Sequence, residues 1–133
     1  MKTNLDSLFK NDTTLEEQGI EFEIKPGVSF HLRRYGGKNT AKIKQALAKH
    51  YKPYARLIET GGIEEAKEEE IRIKLFCDSC LVSWKGIKDE NDKDIPCNLD
   101  NALKLFKSLP ELFVTLEKYA SDTANFREDL GNF

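Results

Sequence analysis

Chemistry would have to come from a short set of residues. Cys77-Asp78-Ser79-Cys80 is a CxxC, the spacing that a zinc site or a redox thiol pair uses. Zinc needs about four ligands, and beyond these two thiols the chain offers only Cys97, His31 and His50. A redox CxxC also wants a helix N-terminus to stabilise thiolate, whereas this one falls deep inside a predicted helix. Two small buried helix residues are the expectation. Asp89-Glu90-Asn91-Asp92-Lys93-Asp94 has the acidity of a calcium loop. It places Lys93 where an oxygen ligand belongs, Asp94 where glycine belongs and Asp100 where the closing glutamate belongs. A hydrated turn is expected instead. Neither histidine has a cysteine or serine placed to form a triad. Arg33-Arg34-Tyr35-Gly36-Gly37-Lys38 contains glycines and cations but matches no phosphate-cradling motif. No catalytic residue, metal ligand or cofactor site is assigned, and the chain is expected not to be an enzyme.

Charge is distributed unevenly. Residues 1–24 carry −4, residues 25–56 carry +9 with no Asp or Glu, and residues 57–133 carry −7. A basic block between acidic ones suits an acidic protein partner or phosphates, unless neighbouring carboxylates neutralise it. Arg33, Arg34, Lys38, Lys42, Lys44, Lys49, Lys52 and Arg56 are interleaved with Tyr35, Tyr51 and Tyr54, which also suits nucleic acid. Three cysteines and no apolar leader or membrane-length run favour a reducing, cytoplasmic setting.

The elements that must position these residues follow from periodicity. Residues 1–19 read as an N-terminal arm, with Thr13 and Glu16 as a capping pair and Gly19 as a stop. Residues 20–133 read as one domain. Ile20, Phe22 and Ile24, then Val28, Phe30 and Leu32, alternate around Lys25-Pro26-Gly27 and predict a β-hairpin. Asn39 or Thr40 would cap a helix burying Ile43, Ala46, Leu47, His50 and Tyr51, kinked at Pro53 and stopped by Gly61-Gly62. A second helix from Ile63-Glu64 turns apolar over IRIKLFCDSCLV and is the expected core element. Val82–Ile87 and Ile95-Pro96 predict a second short hairpin around the acidic turn. Asn98 and Ser108 start two further helices, the latter bearing Leu112, Phe113, Leu116 and Ala120, and a last one runs from Asp122 towards Leu130. The fold class is α+β: an N-terminal β-hairpin and a second short hairpin packed on a mainly helical bundle of four to five helices.

Three ordered phrases carry a wider likeness: VSFHLRRYGGKNTAKIKQALAKHYKPYAR, VSWKGIKDENDKDIPCNLDNALKLFKSLPELFVTL and TANFREDLGNF. Over residues 20–133 the chain resembles the tail assembly chaperones of long-tailed bacteriophages and prophages, departing at Cys97 and at the glycine-free Asn91-Asp92 turn. The resemblance implies a non-enzymatic protein of the bacterial host cytoplasm, absent from the mature virion. Its partners would be the phage tape-measure protein and, as a second candidate, the tail-tube protein, with self-association left open. In many such phages a longer frameshifted product accompanies the chaperone. The expected partner surface joins Leu112, Phe113 and Leu116 to Tyr51 and Tyr54, with Lys42, Lys49 and Lys52 as a cationic rim. The competing readings are a structural tail component and a nucleic-acid-binding regulator acting through residues 33–56; membrane binding is not expected.

Overall fold

Alternation of apolar and polar residues builds the sheet. In the computed structural model, which describes residues 3–127, β1 (Ile20–Lys25) and β2 (Val28–Leu32) pair antiparallel around Pro26-Gly27. Gly27 has φ 85°, the conformation that a turn with proline at its second position demands of its third. The sheet has three strands, because β3 (Leu81–Lys85) pairs antiparallel with β2 and gives the order β1-β2-β3. Leu32 lies opposite Leu81 and His31 opposite Ser83, which leaves Val82 as an extra, exposed residue of a bulge.

This changes the predicted second hairpin. Its first strand joins the N-terminal hairpin, and only the tip closes on itself. There Lys88 bridges Asp94, and the Ile95 N–H donates to the Ile87 carbonyl at 2.8 Å. Asp92 takes the left-handed conformation (φ 62°) that a glycine would otherwise supply. The Asp89 carboxylate accepts from the backbone of Asn91 and Lys93, so the acidic run is a hydrogen-bonded turn.

Helices cover the sheet. Two short ones, α1 (Asp6–Phe9) and α2 (Thr13–Gln18), precede β1. The cap of α2 is Asp12, whose side chain accepts from Thr14 and Leu15, and not Thr13 as the capping-box pattern suggested. Then come α3 (Thr40–Ala46), a π-helical turn (Leu47–Tyr51), a 3-10 turn (Lys52–Tyr54) and α4 (Ala55–Glu59). The break falls where Pro53 was expected to make it. Proline has no N–H to donate, and the Lys52 N–H reaches the Leu47 carbonyl five residues back.

Helix α5 (Glu65–Cys80) is the central element: Ile71, Ile73, Phe76, Cys77, Ser79 and Cys80 are all buried. It stops at Cys80, so Leu81 and Val82 of the predicted helical run belong to β3. Asn98 caps α6 (Leu99–Ser108) as expected, its side chain accepting from Asn101 at 2.8 Å. Ser108 closes α6 instead of starting the next helix. Leu109 serves both ends, and α7 (Pro110–Ser121) begins at the proline. A 3-10 turn, Thr123–Phe126, follows; the remainder of the helix predicted towards Leu130 lies outside the described residues.

The core is aromatic. Phe30 and Phe106 have ring centroids 6.3 Å apart, Phe106 and Phe113 5.4 Å, Phe113 and Phe76 5.4 Å, and Phe76 and Tyr35 5.2 Å. Trp84 packs edge-on to Phe30 and donates its indole N–H to the Ile95 carbonyl at 2.7 Å, tying the acidic turn to the sheet. Gly86 lets this turn pass the first hairpin closely. A Cβ there would lie 2.0 Å from the Gly27 carbonyl oxygen, and its φ is 77°. Gly86→Ala is therefore expected to cost about 2–3 kcal/mol through left-handed strain and the backbone shift needed to clear the contact. Urea unfolding followed by Trp84 fluorescence would measure it; a change under about 0.5 kcal/mol would contradict this packing.

Candidate partner-binding surface

The predicted partner surface divides in two. Phe113 and Leu116 are 3 % and 0 % exposed and belong to the core, with Leu112 half-buried against it. These two side chains cannot present a docking stripe, because α7 uses that face to close over Phe76 and Phe106. Lys42, Lys49 and Lys52 are exposed, while Tyr51 and Tyr54 are half-buried. Tyr54 is covered by Lys67 of α5, whose Nζ lies 4.9 Å from the ring centroid.

What remains is a cationic ridge. Lys42, Gln45 and Lys49 recur at three- and four-residue spacing, with Lys44 beside them and Lys52 and Arg56 following past the π-helical turn. Lys42, Gln45, Ala46 and Lys49 line a shallow depression of about 280 Å³ whose far wall is Asp78 of α5. The π-helical turn is clamped there: His50 hydrogen-bonds through Nε2 to the Asp78 carboxylate, and Lys49 Nζ lies 3.8 Å from the same oxygen. The acidic start of α5 does not neutralise the ridge. Glu70 pairs instead with Lys74 at 2.8 Å and with Lys67 and Lys107 at 3.7 Å. The hydrogen bond from Lys74 holds the Glu70 carboxyl below its ordinary range. Among the described residues, Lys38, Lys42, Lys44, Lys52 and Arg56 have no carboxylate within ion-pair distance. Leu47 and Leu57, 36 % and 48 % exposed, stand beside them.

The other half of the basic block is structural. Arg34 approaches Glu16 at 3.4 Å and donates to the carbonyls of Ala120 at 3.1 Å and Ser121 at 2.7 Å. Arg33 donates to the Glu17 carbonyl. Gly37 sits so close to Glu16 that a Cβ would fall 2.3 Å from its carboxylate. The Arg33–Lys38 loop thus holds α2 to the body. Asn39, expected as a cap, is buried and donates to the carbonyls of Arg34 and Ser79 at 2.9 Å. Glu16 and Asn39 read as capping residues in the sequence, and their burial does not show there, since a lone polar residue near a glycine turn carries no pattern that marks it.

The thiols are enclosed. Cys77 and Cys80 are buried, and burial pushes the Cys80 thiol up to about 12 and the Cys77 thiol up as well, with Cys97 close by adding to the latter. His31 is engaged separately, its Nε2 2.9 Å from the Gln18 carbonyl. Among the described residues no group of three or more potential ligands could hold a metal ion. At about pH 8 a thiol as weak as Cys80 is roughly one part in ten thousand thiolate. Iodoacetamide should therefore leave Cys77 and Cys80 unmodified in the native protein and label all three cysteines in guanidinium; rapid native labelling of either would refute the enclosure. Among the described residues, no helix is long and apolar enough to cross a membrane.

The segment that carries the ridge is also the one with a recognisable relationship. Residues 38–130 match the family model described as YdaY prophage protein, which is more than half of the chain. The chain belongs to the YdaY prophage protein family. Family membership makes it a prophage protein and extends from the start of the ridge through α5, α6 and α7. No curated protein and no solved structure matches the chain.

Proposed function

We propose that this prophage protein is a non-enzymatic tail assembly chaperone that binds the tape-measure protein during tail morphogenesis. Membership of a prophage family and the three ordered sequence phrases support that reading. The observation that carries it is the ridge itself: exposed cations without carboxylate partners among the described residues, beside exposed Leu47 and Leu57. Such a surface gains most by covering another polypeptide, because charge speeds encounter and the leucines supply area that water leaves on docking. A tape-measure protein is long, helical and partly apolar, and it aggregates unless its stripes are covered. The protein acts in the host cytoplasm and leaves before the virion is complete.

The test is co-expression with the tape-measure protein of the same prophage. The soluble fraction of that protein should rise several-fold and the two should co-purify. Mass spectrometry of purified particles should find the tape-measure protein without the chaperone. Presence of the chain at stoichiometric level in virions would instead make it a structural tail component.

A further inference from the structure

We infer that the solvent face of residues 42–56 is a docking surface for an acidic helical segment of the partner. The inference rests on the chaperone reading for its biological partner, but its chemistry stands on the ridge alone. Residues 42–56 run through α3, the π-helical turn, the 3-10 turn and the start of α4. Over that length Lys42, Lys44, Lys52 and Arg56 are exposed and face no carboxylate within ion-pair distance among the described residues. The acidic start of α5, the element expected to offset them, spends Glu70 on Lys67, Lys74 and Lys107. Among the described residues, Asp78 is the one carboxylate of α5 within ion-pair distance of a ridge cation, which leaves the other cations open to a partner.

The shape of the ridge selects among anions. Its middle carries the depression of about 280 Å³ between Lys42 and Lys49, with the Gln45 amide in its lining. Asp78 forms its far wall and already engages Lys49 and His50, so Lys42 and the Gln45 amide are the groups left to meet an entering acidic or amide side chain. Leu47 and Leu57 add apolar contacts that a phosphate backbone could not use. Beyond Arg56 the surface changes sign, with Glu59, Glu64, Glu65, Glu68 and Glu69 all exposed. A uniformly charged polyanion laid along the ridge would be repelled there, whereas a helix of a few turns ends before reaching them. The occupant is an acidic, amphipathic helix.

The experiment uses the full chain and a fluorescein-labelled synthetic helix of about 21 residues, long enough to hold helix in water, with Glu on its polar face and Leu at three- and four-residue spacing. Controls are the same peptide with Lys for Glu and a duplex DNA of similar length. Anisotropy should show saturable binding of the acidic peptide only, weakening about tenfold between ~50 and ~300 mM salt. Lys44→Glu/Lys52→Glu and Lys42→Glu should each weaken binding about tenfold with unchanged melting temperature, and the matching glutamine variants less. Equal binding of acidic and basic peptides, wild-type affinity in the reversed variants, or tighter binding of the duplex would overturn the inference. So would a concentration-dependent dimer abolished by the same reversals, since the occupant would then be a second copy. In co-expression, reversed variants that still solubilise the tape-measure protein would sink this surface and spare the chaperone. Peptide binding by a wild type that fails to solubilise it would do the opposite.

Discussion

Phe113→Ala is expected to lower stability by about 3–5 kcal/mol, the usual cost of emptying an aromatic site in a closed core. Its ring touches Phe76 and Phe106 with centroids 5.4 Å away on both sides, and Arg72 lies over it at 5.3 Å. Arg72 in turn pairs with Glu117 of α7. Removing the ring therefore opens a void where α5, α6 and α7 meet and leaves a guanidinium without its face. With a chain of this length the melting temperature should fall by roughly 10 °C or more. Urea unfolding monitored at Trp84, the sole tryptophan and a buried one, reads the change directly. A loss below about 1 kcal/mol would mean that Phe113 is a surface residue after all, as the sequence pattern suggested. Any partner-binding defect of a Phe113 variant must be judged against this unfolding, whereas the exposed lysines of the ridge can be reversed without disturbing the core.

That contrast shows what periodicity can and cannot reveal. The hairpin of Ile20–Lys25 and Val28–Leu32, the central helix and the Pro53 break were legible because each is written locally, as period two, period 3.6 or a missing N–H. Leu112, Phe113 and Leu116 were legible as an apolar stripe, but a stripe says only that something covers it. Whether that cover is the chain's own α5 and α6 or another protein depends on tertiary packing. The pairing of Leu81–Lys85 with β2 was missed for a related reason. The acidic turn marks a reversal, and a reversal does not specify which strand lies on the far side of β3. The ridge was half legible. The run of cations is plain in the sequence, yet the division between Arg33 and Arg34, which are engaged within the chain, and Lys42, Lys44, Lys52 and Arg56, which are not, is set by residues far away in the chain.

Glu16 and Arg34 provide the sharpest measure of that long-range structure. Their charged atoms approach to 3.4 Å with side chains 2 % and 11 % exposed, and the alignment falls short of a hydrogen bond. Each is held by other groups as well: Glu16 accepts from the Lys38 N–H, and Arg34 donates to the carbonyls of Ala120 and Ser121. Arg34→Met should cost about 3–5 kcal/mol, because it leaves a buried carboxylate without a counter-charge and takes a donor from the Ser121 carbonyl, while the Ala120 carbonyl keeps the Tyr35 N–H. Adding Glu16→Leu should recover part of that loss, since the uncompensated charge then disappears while the hydrogen bonds that Arg34 made to α7 stay lost. A structural tether also predicts where the damage appears. Backbone amides of Gly19 and Arg34, which donate to Leu15 and Glu16 carbonyls at 2.8 and 3.1 Å, should lose hydrogen-exchange protection in Arg34→Met before the amides of α6 do. If the single variant costs less than about 1 kcal/mol, or if the double variant is as unstable as the two single losses combined, the pair is not what fastens α2 to the domain.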